Sequence, residues 1–280
     1  MTIERRIRVL VVDDSAFARK VLRESLTRSP EIEVVGTAHD GLEALEKIAE
    51  LKPDVVTLDL VMPNLDGLGV LRALAGTDGP RVIVVSISGA DSALGVEALQ
   101  NGAIDLVHKP TALATERLYE LADELTVKVT TAFNSKNRHA LGAPVRSEIP
   151  FRSGSTRLVV VGTSTGGPQA LTRLLNALPV HFPCAVAVAL HIPAGYTDAL
   201  ARRLDESCAV RVFEASEGAD LLPGSVAIAR GGLHLRVSER HGTISTHVDP
   251  NPLTAPYSPS VDELFKSAAA ALGPAVMGVV

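Results

Sequence analysis

The 280-residue chain is 46% hydrophobic and 21% charged, as expected of a globular protein long enough to form two domains of ordinary size. No apolar run approaches the roughly 18 residues of a membrane helix, and no secretion signal precedes Asp13 and Asp14, so we expect a cytoplasmic protein. The net charge is −5, and residues 158–280 hold 8 basic and 10 acidic residues, which argues against nucleic acid as a partner of that half.

Residues 1–126 alternate short apolar runs with segments of helical periodicity. The runs IRVLVV, IEVVG, DVVTLDL, RVIVVS and AIDLV predict five strands, and the segments that follow them predict helices. Repeated βα units with right-handed crossovers build a parallel sheet, so we predict a five-stranded, doubly wound α/β domain.

Residues 127–156 lose this rhythm, and their mixture of Ser, Asn, Pro, Gly and basic residues predicts a linker. From residue 157 the alternation resumes, with strands at RLVVV, CAVAVAL and VRVFEA in a second parallel α/β domain, residues 157–280. Residues 222–248 contain short apolar runs separated by Pro-Gly, Gly-Gly and His-Gly pairs, which predict antiparallel β-hairpins. A helix at SVDELFKSAAAAL and a strand at AVMGVV follow.

Polar residues stand at successive strand ends of the first half, on the sheet edge where open α/β folds bind ligands. They are Asp13, Asp14, Asp59, Ser86 and Lys109. Three converging carboxylates repel each other, and a divalent cation such as Mg²⁺ would relieve that repulsion. Lys109 offers a positive charge, and Ser86 a hydroxyl donor, to a phosphoryl group. Solvated loop acids are the alternative, which fits the recurrence at successive strand ends less well.

With these five positions in place, residues 1–126 resemble the receiver domain of response regulators. The resemblance implies that Asp59 accepts a phosphoryl group from a histidine kinase. It also implies that Asp14, Asp59 and the carbonyl of Val61 hold Mg²⁺, with Asp13 acting through water. Ser86 and Lys109 would then sense the phosphoryl group.

The stretch GTSTGG, residues 162–167, lies between a predicted strand and a predicted helix. Gly162, Ser164 and Gly166 match the G-x-S-x-G spacing of a nucleophile elbow, which exposes the serine at a helix N-terminus. Neither the dinucleotide-binding pattern nor the P-loop pattern fits this stretch, whereas a plain structural turn remains an alternative.

A serine nucleophile needs a general base. His191 follows the apolar run AVAVAL, at the carboxyl end of the next strand, and strand ends of neighbouring βα units lie side by side. His181 should lie at the opposite end of that strand, and His234 lies inside a strand pattern. We therefore expect His191 to serve Ser164.

Four stretches of residues 158–280 resemble the catalytic domain of chemotaxis protein-glutamate methylesterases: VVVGTSTGGPQAL, HIPAGYTDALARRLD, LPGSVAIARGGLHLRV and SPSVDELFKSAA. A receiver domain fused ahead of it is the domain order of that family. The resemblance implies phosphorylation-regulated hydrolysis of glutamyl methyl esters on chemoreceptors, with Ser164 attacking the ester, His191 moving the proton and no cofactor for this step. It leaves deamidation of receptor glutamines open as a second activity. The protein would meet the membrane only through its receptors.

The third catalytic residue of the family is an aspartate in a glycine-rich loop after the final strand. This sequence ends within the predicted final strand, so we expect a C-terminally incomplete catalytic domain with reduced activity. Asp198, Asp249 and Asp262 are not convincing substitutes. Arg230 stands where the family usually has a proline. The alternative function is a catalytically inactive module that docks on receptors or signalling partners.

Overall fold

The computed structural model describes residues 5–86, 92–109, 115–138, 156–249 and 258–280, which divide into two units, Met1–Ala143 and Pro144–Val280. The first unit alternates strands and helices along the chain. Its elements are β1 (Ile7–Val12), α1 (Ala16–Thr27), β2 (Ile32–Ala38), α2 (Gly41–Leu51), β3 (Val55–Leu58), α3 (Gly67–Leu74), β4 (Arg81–Ser86), α4 (Ser92–Gln100), β5 (Asp105–His108) and α5 (Thr115–Arg138).

The strands of the first unit form one parallel sheet in the order β2-β1-β3-β4-β5. This topology confirms the predicted doubly wound α/β domain. The inner strands β1, β3 and β4 are almost fully buried, since helices cover both faces of the sheet. The order also places the ends of β1 and β3 side by side at the carboxyl edge.

Helix α5 differs from its predicted extent. It continues to Arg138, so residues 127–138 are helical although the sequence analysis assigns them to the linker. Val129 and Ala132 are fully buried in the core of the first unit. Their apolar contacts explain why the helix persists beyond the point where the sequence loses its regular alternation.

The second unit also begins with βα alternation. Its elements are β6 (Leu158–Thr163), α6 (Gly167–Asn176), β7 (Ala185–Leu190), α7 (Thr197–Ser207), β8 (Arg211–Glu214), β9 (Ser225–Ile228), β10 (His234–Arg240), β11 (Thr243–Asp249), α8 (Val261–Leu272), a short 3-10 turn (Gly273–Ala275) and β12 (Val276–Val279). Five of its strands form a parallel sheet in the order β12-β6-β7-β9-β8.

The predicted hairpins of residues 222–248 are only partly correct. Strands β10 and β11 pair antiparallel as expected, but β9 joins the main sheet in parallel with β7 and β8. Its four residues are all buried. A short buried run flanked by turn residues has the same sequence signature in either arrangement, so the pattern could not distinguish them.

No helix within the described ranges is both long enough and apolar enough to cross a bilayer.

Candidate functional sites

The acidic cluster of the first unit lies at the carboxyl edge of its sheet. Asp13 and Asp14 follow β1 and Asp59 follows β3, and carboxylate oxygens of all three lie within 4.8 Å of one another. Lys109, which follows β5, donates from Nζ to Asp13 Oδ2 at 2.6 Å and to Asp59 Oδ2 at 2.7 Å. The structure thus brings four of the sequence-predicted residues into direct contact or close range.

The charges of this cluster do not balance. Burial raises the pKa of Asp13, and the hydrogen bond and charge of Lys109 only partly oppose that effect. Burial lowers the pKa of Lys109, but its hydrogen bonds to Asp13 and Asp59 outweigh burial and raise the pKa above its usual value. The Lys109 ammonium group pairs with two of the three clustered carboxylates, and the excess negative charge favours a divalent cation with oxygen ligands.

Ser86 ends β4, and Val61 lies two residues after Asp59. The Ser86 hydroxyl is buried and has no hydrogen-bond partner among the residues that the structure describes, while its carbonyl accepts from the backbone N–H of Lys109 at 2.8 Å. A buried donor without a partner is costly, and a phosphoryl oxygen would satisfy it. The backbone N–H of Val61 lies 3.4 Å from Asp59 Oδ1, so the Val61 peptide adjoins the carboxylate. These residues fit a site for Mg²⁺ and a phosphoryl group.

Sequence reasoning missed Arg19. Its Nη1 donates to the carbonyls of Asp13 and Asp14 at 2.6 and 2.9 Å, and so fixes the turn that carries both carboxylates. Nothing in the sequence distinguishes Arg19 from the other basic residues of α1, because the contact depends on how the turn folds back on the helix.

The nucleophile turn joins β6 to α6. Ser164 is exposed, and Gly166 has a φ of 79°, a left-handed conformation that favours glycine. A Cβ on Gly162 would lie 2.3 Å from a methyl carbon of Val261, so α8 packs directly against the end of β6. The small residues of this motif thus permit a sharp turn and a close helix contact, and they leave Ser164 at the N-terminus of α6.

His191 lies beside Ser164. Strands β6 and β7 pair in register up to Thr163 and Leu190, and the His191 N–H donates to the Thr163 carbonyl at 3.2 Å. His191 Nδ1 is 3.3 Å from Ser164 Oγ. The two residues therefore meet because their strands are neighbours.

The other residues weighed in the sequence analysis lie in different surroundings. Asp198 is paired with Arg202 at 2.6 Å on α7, and Asp249 with Arg236 at 3.2 Å. Asp262 lies in the first turn of α8.

His234 is 1% exposed. Its Nδ1 accepts from the Ser260 N–H at 3.1 Å, and its Nε2 lies 3.2 Å from Ser258 Oγ. These contacts join β10 to the residues that precede α8, as expected of a structural histidine.

The sequence analysis also missed a second serine–histidine pair. Ser238 Oγ lies 2.7 Å from His247 Nε2, and His247 Nδ1 lies 2.8 Å from Glu217 Oε1. These distances resemble those of a catalytic triad. Ser238 and His247 lie within β10 and β11, however, rather than on a strand-to-helix turn.

The two units define a class of protein: a response regulator whose receiver is joined to an α/β unit with a serine-hydrolase nucleophile turn. Family models agree, since the response regulator receiver domain matches residues 9–123 and the CheB methylesterase matches residues 159–280.

Two named relatives match nearly the whole chain, and a solved structure matches its first unit. Protein-glutamate methylesterase/protein-glutamine glutaminase 5 of Myxococcus xanthus is 59% identical over 286 residues, which cover 100% of this chain and 82% of the relative. The corresponding Thermotoga maritima protein is 40% identical over 269 residues, 95% of this chain and 78% of the relative. The response regulator domain of Thermotoga maritima CheB is 47% identical, with a TM-score of 0.43, and covers 46% of this chain and 98% of that one. The chain belongs to the protein-glutamate methylesterase/protein-glutamine glutaminase family.

Proposed function

We propose that this protein hydrolyses glutamyl methyl esters on chemoreceptors in the cytoplasm, and that phosphorylation of Asp59 regulates this activity. The observation that carries the proposal is the 3.3 Å approach of His191 Nδ1 to Ser164 Oγ at the N-terminus of α6. Family membership supports an enzyme rather than an inactive docking module.

The acyl-transfer steps follow from this geometry. With the hydrogen of the neutral imidazole on Nε2, Nδ1 accepts the Ser164 proton while Oγ attacks the ester carbonyl carbon. The N-terminal N–H groups of α6 stabilise the oxyanion that forms. Collapse breaks the carbon–oxygen bond, and His191 returns the proton to the leaving methoxide as methanol. His191 then takes a proton from water while the water oxygen attacks the acyl carbonyl carbon. Collapse breaks the bond to Ser164 Oγ, and His191 returns the proton to that oxygen, which releases glutamate and free Ser164.

The same steps apply to a glutamine side chain, with ammonia as the leaving group. The names of both relatives include a glutaminase activity. Ammonia release from a receptor with unmodified glutamines tests this second activity, and it should depend on Ser164 in the same way.

The receiver site suits transfer of a phosphoryl group from a histidine kinase. Asp14, Asp59 and the Val61 carbonyl would hold Mg²⁺, with Asp13 through water, and the ion would neutralise the charge of the transferring group. The Asp59 carboxylate attacks phosphorus, and the phosphorus–nitrogen bond to the kinase histidine breaks. Lys109 and Ser86 then donate hydrogen bonds to phosphoryl oxygens.

Methanol release from membranes that contain a methylated chemoreceptor tests the esterase. Ser164→Ala should lower the rate of the full chain to that of a control without protein, because the reaction has no other nucleophile. Ser238→Ala is the matched control and should retain the activity. Equal activity of the wild type and Ser164→Ala would refute the proposal.

A small phosphodonor such as acetyl phosphate tests the regulation. With Mg²⁺ present, it should place one phosphoryl group on Asp59 and raise methanol release by the full chain. Asp59→Asn should prevent both effects. If the phosphodonor stimulates Asp59→Asn as strongly as the wild type, phosphorylation of Asp59 is not the regulator.

A further inference from the structure

Arg230 lies at the same sheet edge as the proposed nucleophile and base. Strand β9 neighbours β7 with Ile228 opposite Val188, and the Ala229 N–H donates to the Val188 carbonyl at 2.8 Å. Arg230 is therefore level with the end of β7, where His191 begins its loop. The strand order places four residues side by side along this edge of the sheet, in the spatial order Ser164, His191, Arg230 and Glu214.

The backbone after Arg230 is packed against the loop that carries His191. A Cβ on Gly231 would lie 2.9 Å from both Ala194 Cα and the Pro193 carbonyl oxygen. The Gly231 N–H donates to the buried hydroxyl of Thr197 at 3.2 Å. These contacts fix the loop of Arg230 relative to the loop of His191.

The guanidinium of Arg230 is open to a ligand. The side chain is 61% exposed, and its ion pair with Glu214 is long, at 3.8 Å between Nε and Oε2. Glu214 Oε1 already accepts a hydrogen bond from the Thr197 hydroxyl. A guanidinium carries five N–H donors, so among the described residues this distant pair leaves most of its hydrogen-bonding capacity available.

We propose that Arg230 is a specificity-determining residue that binds a carboxylate of the substrate protein next to the glutamyl ester. The proposal rests on the proposed esterase function and adds the kind of sequence that the site prefers. The unesterified form of a modifiable glutamate is a carboxylate, so a segment with further glutamates presents anions close to the ester. The planar guanidinium binds carboxylates in bidentate geometry. Arg230 thus selects esters in acidic segments.

Two peptides of equal length test the proposal. Each has a central γ-methyl glutamyl ester, flanked on both sides by Glu in one peptide and by Ser in the other. The full-length chain should give a kcat/KM about tenfold higher for the acidic peptide. Arg230→Gln should remove that preference and leave the Ser-flanked peptide within about twofold. Arg240→Gln, on the distant hairpin, should keep the preference.

A binding measurement separates this proposal from the esterase proposal. Fluorescence anisotropy with the full-length Ser164→Ala chain reports the affinity for each labelled peptide without hydrolysis. Tighter binding of the acidic peptide that disappears in Ser164→Ala/Arg230→Gln supports the role of Arg230, even if neither peptide is hydrolysed and the esterase proposal fails. Equal losses on both peptides, or no acidic preference in either measurement, would overturn it.

Discussion

In both units the candidate site lies at the carboxyl edge of a parallel sheet, but the two units differ in how much charge they bury. Among the described residues, every buried charged side chain is in the first unit: Asp13, Asp40, Asp59, Asp105 and Lys128. The buried polar side chains of the second unit are Thr197, Ser225, His234, Thr246 and Ser260. The receiver thus buries charged side chains, including Asp13 and Asp59 of its site, whereas the second unit has an exposed serine and a histidine beside an interior without buried charge among the described residues.

This difference matches the chemistry proposed for each edge. A phosphoryl group is charged throughout its transfer, so its site needs fixed cations and metal ligands. An ester is neutral, and negative charge develops only on one oxygen, which helix N–H groups can stabilise. The fold provides the edge, and the side chains at the strand ends determine the reaction.

The second unit contains two serine–histidine pairs that can be compared with each other. Ser238, His247 and Glu217 have shorter contacts than Ser164 and His191. The hairpin nevertheless offers Ser238 no helix N-terminus. We therefore expect the position of the serine in the fold, rather than its distance from a histidine, to determine which serine is the nucleophile.

After loss of Ser164 itself, the largest effect should follow loss of the proposed base. His191→Gln cannot accept the Ser164 proton and should lower methanol release by roughly 10³-fold, within the range of general-base contributions. His247→Gln is the matched control and should change the rate less than twofold. A larger effect of His247→Gln than of His191→Gln would reverse our assignment of the two pairs.

The buried ion pair of the first unit predicts the next effect. Lys128 Nζ donates to Asp105 Oδ1 and to the Leu106 carbonyl, each at 2.8 Å. Lys128→Met leaves a buried carboxylate uncompensated and should destabilise this unit by about 3 kcal/mol.

Hydrogen exchange of the full chain, followed by mass spectrometry, measures this effect for each unit separately. Peptides from β5 should exchange faster in Lys128→Met, and peptides from β7 should not change. Lys128→Met combined with Asp105→Leu should recover much of the loss, because it removes both charges. Unchanged exchange in β5 would show that the buried pair contributes little.

Metal removal should slow phosphorylation in the first unit and leave the basal esterase activity of the second unit unchanged. EDTA, or Asp14→Asn in excess Mg²⁺, should lower the rate of Asp59 phosphorylation by about 100-fold, because the cation stabilises charge on the transferring group. Methanol release by the unphosphorylated chain should remain the same with and without EDTA. Loss of that basal activity with EDTA would place a metal requirement at the esterase edge.

The smallest expected effect concerns pH and the N-terminus of α2. Hydrogen bonds from Lys47 first, and then from His39, hold the pKa of Glu43 down at about 2, although burial opposes them. A lowered pKa stabilises the folded state above the ordinary pKa of about 4.5, and this stability is lost as the pH falls towards 2. Glu43→Gln should cost at most about 1 kcal/mol at pH 7, since the site is partly exposed.

Urea unfolding at several pH values measures this cost. The difference between Glu43→Gln and the wild type should shrink below pH 4.5 and vanish near pH 2. Glu50→Gln, on the exposed side of the same helix, is the control and should show no such trend. A difference that stays constant with pH would assign the effect to packing instead of charge.

The sequence predicted most of the sheet and most of the residues that meet at the two candidate sites. Apolar runs with turn residues identify buried parallel strands, and strand ends identify the edge, so Asp13, Asp59, Ser164 and His191 could be found before any coordinates. The extent of α5 could not be predicted, because contacts of Val129 with the core stabilise it. A single sequence also does not show which strands pair or which distant side chains meet. For this reason β9 was misplaced, and the contacts of Arg19 and Ser238 were not predicted.

Labelling with a fluorophosphonate tests the central claim most directly. The probe reacts covalently with an activated serine hydroxyl, and peptide mapping of the full chain identifies the modified residue. We expect label on Ser164, a much slower reaction in His191→Gln, and no label on Ser238. Modification of Ser238 in place of Ser164 would contradict the account.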